Sequence, residues 1–383
     1  MDDSAQAPIA GMARTGRILR GPASDLIELE GKNGLRHTAV VFHPAYRRHN
    51  GINDALSVVL GFLKAPMVTG LVELVSHDSE AGAFVYPTGQ VWSVAEVIRL
   101  LADSGKTGGI RAGLELMYGC GQILSEAADA GERDGVYSHG GLTPWRVMLR
   151  KDGQVMVIGH ALPQVEILLF REDPGQVPRE DSFRYCPPER VKALPENLSS
   201  DLFGLGLIAF ELMIGRPVYD GLVNDIRQQA ARGEGSRRLF RFRDQLPDEV
   251  GRLLAQVLKP EPGDRLPDGA AFLAEVQRAL RAPSATGPSL MELMDSLGGM
   301  NARTGVTPEA SSTMMGSADD FRRMLDDGDE PAAPVRQRFV PGSSGRSGAP
   351  PAGGAEPPAP APSPAPAPPP AGEGRWSANL QRS

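Results

Sequence analysis

At 383 residues the chain is long enough for one large two-lobed domain or two ordinary ones plus tails, and 41% apolar residues support a buried core. A formal net charge of −7 gives no support for nucleic-acid binding. Two cysteines, Cys120 and Cys186, exclude a disulfide framework and fit a reducing cytoplasm.

The start, MDDSAQAPIAGMARTG, lacks the apolar stretch of a signal peptide, and residues to about Arg14 are expected to be loose within a flexible N-terminus over 1–21. Leu26-Ile27-Glu28-Leu29, a turn at Gly31-Lys32-Asn33-Gly34 and Thr38-Ala39-Val40-Val41-Phe42 predict a hairpin. Residues 53–63 carry Leu56, Val59, Leu60 and Leu63 at helical spacing, and 68–75 and 83–86 read as strands. Pro87-Thr88-Gly89 then marks a hinge, followed by helices over 93–101 and 110–130. Ser104-Gly105-Lys106-Thr107 is not a phosphate loop, because Leu100 stands where its first Gly belongs and no strand precedes it. No apolar run reaches ~18 residues, so no membrane span is expected.

Residues 139–161 read HGGLTPWRVMLRKDGQVMVIGHA, in which two short apolar runs split by Asp-Gly predict a tight hairpin. Further on come FRYCPPE (183–189), SDLFGLGLIAFEL (200–212) ahead of Gly215-Arg216-Pro217, and KPEPGDR (259–265). Together these resemble a protein kinase of the bacterial Ser/Thr type: its catalytic loop and DFG segment, the element closing its activation segment, and its central lower-lobe helix. The resemblance covers roughly 22–281 and is carried mainly from Ser138 onward. It implies an α+β, bilobal protein kinase-like fold, with a small β-rich N-lobe over 22–88 and a mainly helical C-lobe over 89–281.

The resemblance assigns structural roles to five residues. His139 would pack the loop, although an ordinary loop histidine reads the same way. Pro144 would fix the backbone after it. Glu189 would pair with Arg265, tying the activation segment to the lower lobe. Asp201 would accept from the backbone around His139, or serve as a plain carboxylate at a helix N-terminus.

The reactive positions read differently. Phosphoryl transfer needs a strand Lys, its Glu partner, two metal ligands and a base. Gly141 stands where a kinase has its catalytic Asp, Arg146 where an Asn holds metal, and Gly159 where the DFG Asp stands. No lysine lies between Lys32 and Lys64, so Phe42 or His43 takes the strand position, and Asp54 is the one carboxylate over 53–63. Gly16 and Gly21 are not spaced as a Gly-rich loop, and 136–149 and 157–162 hold no Asp or Glu. No catalytic residue, cofactor or metal is therefore expected.

The tail begins at 282. The linker over 282–330 holds two amphipathic stretches, 289–300 and 318–325. In the first, Leu290, Leu293, Met294 and Leu297 recur at helical spacing, either packed back on the lower lobe or offered to a partner's groove. A hydroxyl-rich run over 304–313 lies between them. Residues 331–374 are a Pro/Ala-rich spacer too poor in apolar bulk to fold, expected to be disordered, and 375–383 present Trp376 and Leu380 as a docking peptide. The Arg, Ala, Gly and Pro bias fits a GC-rich bacterial genome.

The whole reads as a degenerate pseudokinase: no enzyme, but a cytoplasmic regulatory or scaffold protein in signalling. Its expected partners are proteins, such as an active kinase or a phosphopeptide-binding domain. Two other readings stand beside it: an atypical nucleotide-using transferase on the same fold, and a structural assembly protein acting through its tail.

Overall fold

The structure, a computed structural model, describes residues 7–20, 24–42, 60–64, 68–132, 136–162, 181–192 and 194–304. His43, most of the predicted helix over 53–63, the amphipathic stretch 318–325, the hydroxyl-rich run beyond Thr304, the spacer and the terminal peptide lie outside the described residues.

Side chains of a strand alternate between faces, and the small lobe uses both. An antiparallel sheet runs in the order β1-β2-β3-β5-β4, with β1 Ala13–Arg20, β2 Ser24–Glu30, β3 Arg36–Phe42, β4 Ser76–Asp78 and β5 Ala83–Tyr86. Leu19, Leu26, Val40, Phe42, Phe84 and Tyr86 face the main core. Ile27, Leu29, Ala39, Val41, Ala83 and Val85 bury a second cluster on the other face, closed by Ile9.

Two expectations need correction here. The N-terminus is not loose to Arg14: Ile9 is fully buried, its backbone bridges Met12, and β1 begins at Ala13. Its sequence, ARTGRILR, hides a strand because an edge strand needs few apolar residues. Residues 68–75 are not a strand. Leu71 makes a single bridge to Val157, while the amides of Val72, Leu74 and Val75 bond to three different segments, so among the described residues no neighbouring strand forms a ladder with it.

A three-stranded sheet, β6 Val91–Ser93, β7 Val147–Arg150 and β8 Val155–Val157, carries the predicted hairpin below the cleft. The helical lobe consists of α1 Val94–Asp103, α2 Gly109–Gly131, α3 Asp181–Arg184, α4 Pro188–Val191, α5 Leu198–Ile214, α6 Val223–Ala231, α7 Gly235–Leu239, α8 Asp248–Val257, α9 Gly269–Leu280 and α10 Leu290–Thr304. The α5 helix is apolar nearly all round and buried accordingly, and it ends at Gly215 in the left-handed conformation (φ 75°). Gly113 lets α2 approach it closely, since a Cβ there would run into Met213.

The α10 helix settles the open choice for its stretch. Leu290, Leu293, Met294 and Leu297 are buried in the main core, and the Leu290 amide donates to Glu115 Oε2 at 2.7 Å. The folded lobe therefore continues past residue 281. Among the described residues no helix is long and apolar enough to cross a membrane.

One ion pair ties the lower lobe together. Arg265 Nη1 and Nη2 donate to Glu189 Oε1 and Oε2 at 2.7 and 2.9 Å, with both side chains 3% exposed or less. Arg265 also donates to the carbonyls of Lys259 and Pro260 and lies over the Phe203 ring, while Ser200 Oγ donates to Glu189. Burial works to raise the Glu189 pKa, but the hydrogen bonds and charge of Arg265 outweigh it and hold the carboxyl below its usual value. Arg265→Ala is expected to cost ~3–5 kcal/mol, because it strands a buried carboxylate. Glu189→Gln combined with Arg265→Met should recover part of that loss in a denaturant titration, and an unchanged Arg265→Ala titration would count against the pair's importance.

Candidate functional site

The loop over 138–146 is held from below by α5. Asp201 in its first turn accepts from the amides of His139 (2.6 Å) and Gly140 (3.1 Å). Burial pushes this carboxyl up to about 8, against the two amides, which favour the anion. Arg190 reaches the Gly140 carbonyl and also pairs with Glu196. The buried Pro144 presents its carbonyl to the Ala95 amide, fastening the loop to α1. Gly140 and Gly141 both lie at positive φ, 76° and 138°.

Gly159 lies at φ 71°, and a side chain there would run into the Arg146 guanidinium. Arg146 is 5% exposed and donates to Ser24 Oγ at 3.2 Å, so a cation from the lower lobe reaches the small sheet. Tyr86 fills the back of the same space. Its phenol is fully buried beside the Gly159 amide and Arg146, and burial raises its pKa. The inward face of β3 carries Thr38, Val40 and Phe42, none of them cationic; Phe42 packs edge-on to Phe84 at 5.4 Å. Gly141, Arg146 and Gly159 thus do not fit a Mg²⁺–nucleotide: two offer no side-chain oxygen and the third is a cation.

Three rings pack together between the lobes, one pair tilted and the other edge-on. His160 lies 5.3 Å from Phe62 and 5.6 Å from His139. His139 Nε2 donates to the Ile158 carbonyl at 3.2 Å, which places its proton on that nitrogen. Among the described residues neither ring nitrogen of His160 has a hydrogen-bond partner. Burial pushes the His160 pKa down to about 3 and that of His139 well below its usual value, so both rings are neutral near pH 7.

The mouth of the cleft is closed by residues that sequence reasoning missed. Arg17 on β1 donates from Nε and Nη2 to Glu96 on α1 (3.1, 2.7 and 2.7 Å), and from Nη1 to Glu28 (3.0 Å) and the Val91 carbonyl (2.9 Å). Glu96 also accepts from the Ser93 amide and hydroxyl, completing a capping box. Among the described residues, the pocket between Leu19, Leu26, Thr38 and Met148 holds about 20 Å³, the scale of a single water. The Ser93-x-x-Glu96 spacing is the local signal of a capping box that could have marked these two residues. Nothing local links them to Arg17, 79 residues before Glu96.

No family model matches this chain. Among curated proteins it is similar to the serine/threonine-protein kinase PkaA of Streptomyces coelicolor, 27% identical over 147 residues, covering 37% of this chain and 25% of that protein. It is also similar to AtPK2/AtPK19 of Arabidopsis thaliana (24% over 140 residues, 37% of this chain and 28% of the relative). A third relative is the serine/threonine-protein kinase PknD of Protochlamydia amoebophila (21% over 259 residues, 57% of this chain and 26% of the relative). The chain spans about a quarter of the length of these relatives. Among solved structures, the Mycobacterium tuberculosis PknI kinase domain matches with a TM-score of 0.52 at 15% identity, over 71% of this chain and 97% of that one. The chain has a protein kinase-like fold, bilobal, with a β-rich small lobe and a helical large one.

These comparisons correct one expectation. The reactive positions alone argue against an enzyme; the relatives are named serine/threonine-protein kinases and the structural neighbours are kinase domains, which point toward an enzyme.

The His160 environment yields a pH prediction. Between about pH 6.5 and about 3 the unfolded chain binds a proton at this ring that the folded one does not, so stability falls as pH falls through that window. His160→Phe keeps an aromatic ring in the cluster and removes the titration. Its unfolding free energy should be less acid-sensitive than the parent's, by up to about 1.4 kcal/mol per pH unit. Parallel pH profiles would contradict the assignment.

Proposed function

We propose that this chain acts in protein-kinase signalling as a regulatory protein that binds protein partners through its kinase-like domain. The observation that carries this reading is the state of the cleft: Arg17 bridges its mouth to Glu96, and Tyr86 and Arg146 fill its interior. With the interior filled, the domain's outer surfaces are what it offers to a partner. An active kinase, or a domain that reads phosphorylated segments, is the partner class in keeping with a kinase-like fold. Capture with the purified full chain, followed by titration of the purified candidate, tests this; a partner that saturates at one site supports it, and failure of every captured candidate to bind when purified contradicts it.

The second reading is an atypical nucleotide-using transferase, favoured by the names of the relatives. That activity belongs to those proteins, and this chain would have to hold a nucleotide with a different set of groups. The two readings separate in a thermal melt. The regulatory reading expects no rise in Tm with millimolar Mg²⁺–ATP, whereas saturation at ~100 times Kd would add ~2.7 kcal/mol and be easily seen. A rise that requires both ATP and Mg²⁺ favours the transferase.

A further inference from the structure

Arg17 stands on the small sheet and Glu96 on the first helix of the large lobe, so their bond spans the cleft rather than bracing either side. We propose that the Arg17–Glu96 pair is a latch: an autoinhibitory contact that holds the cleft shut and must release before any ligand reaches Thr38 and Met148.

Three observations build the case. The contact is a fork on a carboxylate, three hydrogen bonds of 2.7–3.1 Å, with the Glu96 side chain 6% exposed and Arg17 24% exposed. Such planar pairing fixes orientation as well as distance, and water cannot easily compete for it. Burial acts to lower the Arg17 pKa, yet Glu96 and then Glu28 more than offset it and raise it, so the guanidinium stays charged. Next, among the described residues the pocket that Arg17 and Glu96 line together with Thr38 and Met148 keeps only about 20 Å³, too little for a ring while the pair holds.

The third observation makes the contact a latch rather than a permanent brace. Each partner keeps a second set of bonds on its own side of the cleft. Arg17 retains Glu28 of β2, in the same sheet. Glu96 retains the Ser93 amide and hydroxyl of its own capping box. Opening therefore strands neither charge, which removes the penalty that ordinarily keeps a buried pair together. A buried pair with a reserve partner at each end has two tolerable arrangements, as a two-state device needs.

The proposal rests on the kinase-like reading of the cleft, but its test needs no ligand. Met148 lies on the cleft floor, 2% exposed, and the two native cysteines form a quiet background. Burial raises both thiols, that of Cys186 to about 12, so neither reacts readily. In full-length Met148→Cys protein, a thiol reagent under native conditions reports cleft opening, and peptide mass spectrometry reads position 148 apart from Cys120 and Cys186. Adding Arg17→Met should raise the labelling rate at 148 at least tenfold, with Cys120 and Cys186 still protected. Glu96→Gln, which keeps the capping geometry, should raise it less but measurably. Rates within twofold of the Met148→Cys parent for both variants would overturn the latch. Arg17→Met labelling all three positions together, with Glu96→Gln unchanged, would overturn it too, since the pair would then be a fold brace. A cleft that opens and still takes no nucleotide would bear on the transferase reading, not on the latch.

Discussion

A guanidinium withdrawn from water must find several acceptors at once, and Arg17 finds four groups: both oxygens of Glu96, one of Glu28, and the Val91 carbonyl. Because these acceptors come from β2, the start of β6 and α1, one side chain sets the distance between the sheet and the helical lobe. The rest of the cleft follows from that spacing. With the mouth drawn in, Leu19 and Leu26 close down toward Met148, and the Thr38 and Thr88 hydroxyls, 2.8 Å apart, satisfy each other instead of a ligand. Within the same closed space, Arg146 can reach Ser24 across the lobes.

Deeper in, the protein keeps polar groups buried by fitting them to backbone rather than to a reactant. Asp201 binds the loop amides and His139 binds the Ile158 carbonyl. Pro144 holds α1 through its carbonyl. These contacts maintain the loop's shape whatever occupies its tip, so the frame survives with Gly141, Arg146 and Gly159 at its reactive positions. His160 departs from this, with both ring nitrogens unpartnered among the described residues, and the buried Tyr86 and Tyr219 hydroxyls and His139 Nδ1 also lack a partner there. Aromatic packing on Phe62 and His139 offsets that cost only in part, and burial leaves both imidazoles sensitive to acid.

The large lobe was legible because its signals are local. The apolar run of α5 with Asn197 ahead and Gly215 behind, the Ser93–Glu96 box and the Asp-Gly turn each specify a conformation within a few residues. The small lobe was less so. β1 is an Arg-rich edge strand with little alternation, β6 is three residues long, and the apolar run over 68–75 looks like a strand but lacks a partner along its length. For the site, the positions of Gly141, Arg146 and Gly159 could be read from the loop motifs, whereas what fills the cleft could not. Arg17 meets Glu96 across 79 residues and Arg146 meets Ser24 across 122, and nothing in local spacing foretells either contact.

Arg17 and Glu96 act on each other and not merely each on its own neighbourhood. A double-mutant cycle of Arg17→Met and Glu96→Gln, read by denaturant unfolding, isolates that term from the reserve bonds to Glu28 and Ser93. A coupling of at least about 1 kcal/mol is expected, within the range found for residues in direct contact. Additive losses, with the double variant equal to the sum of the singles, would contradict it.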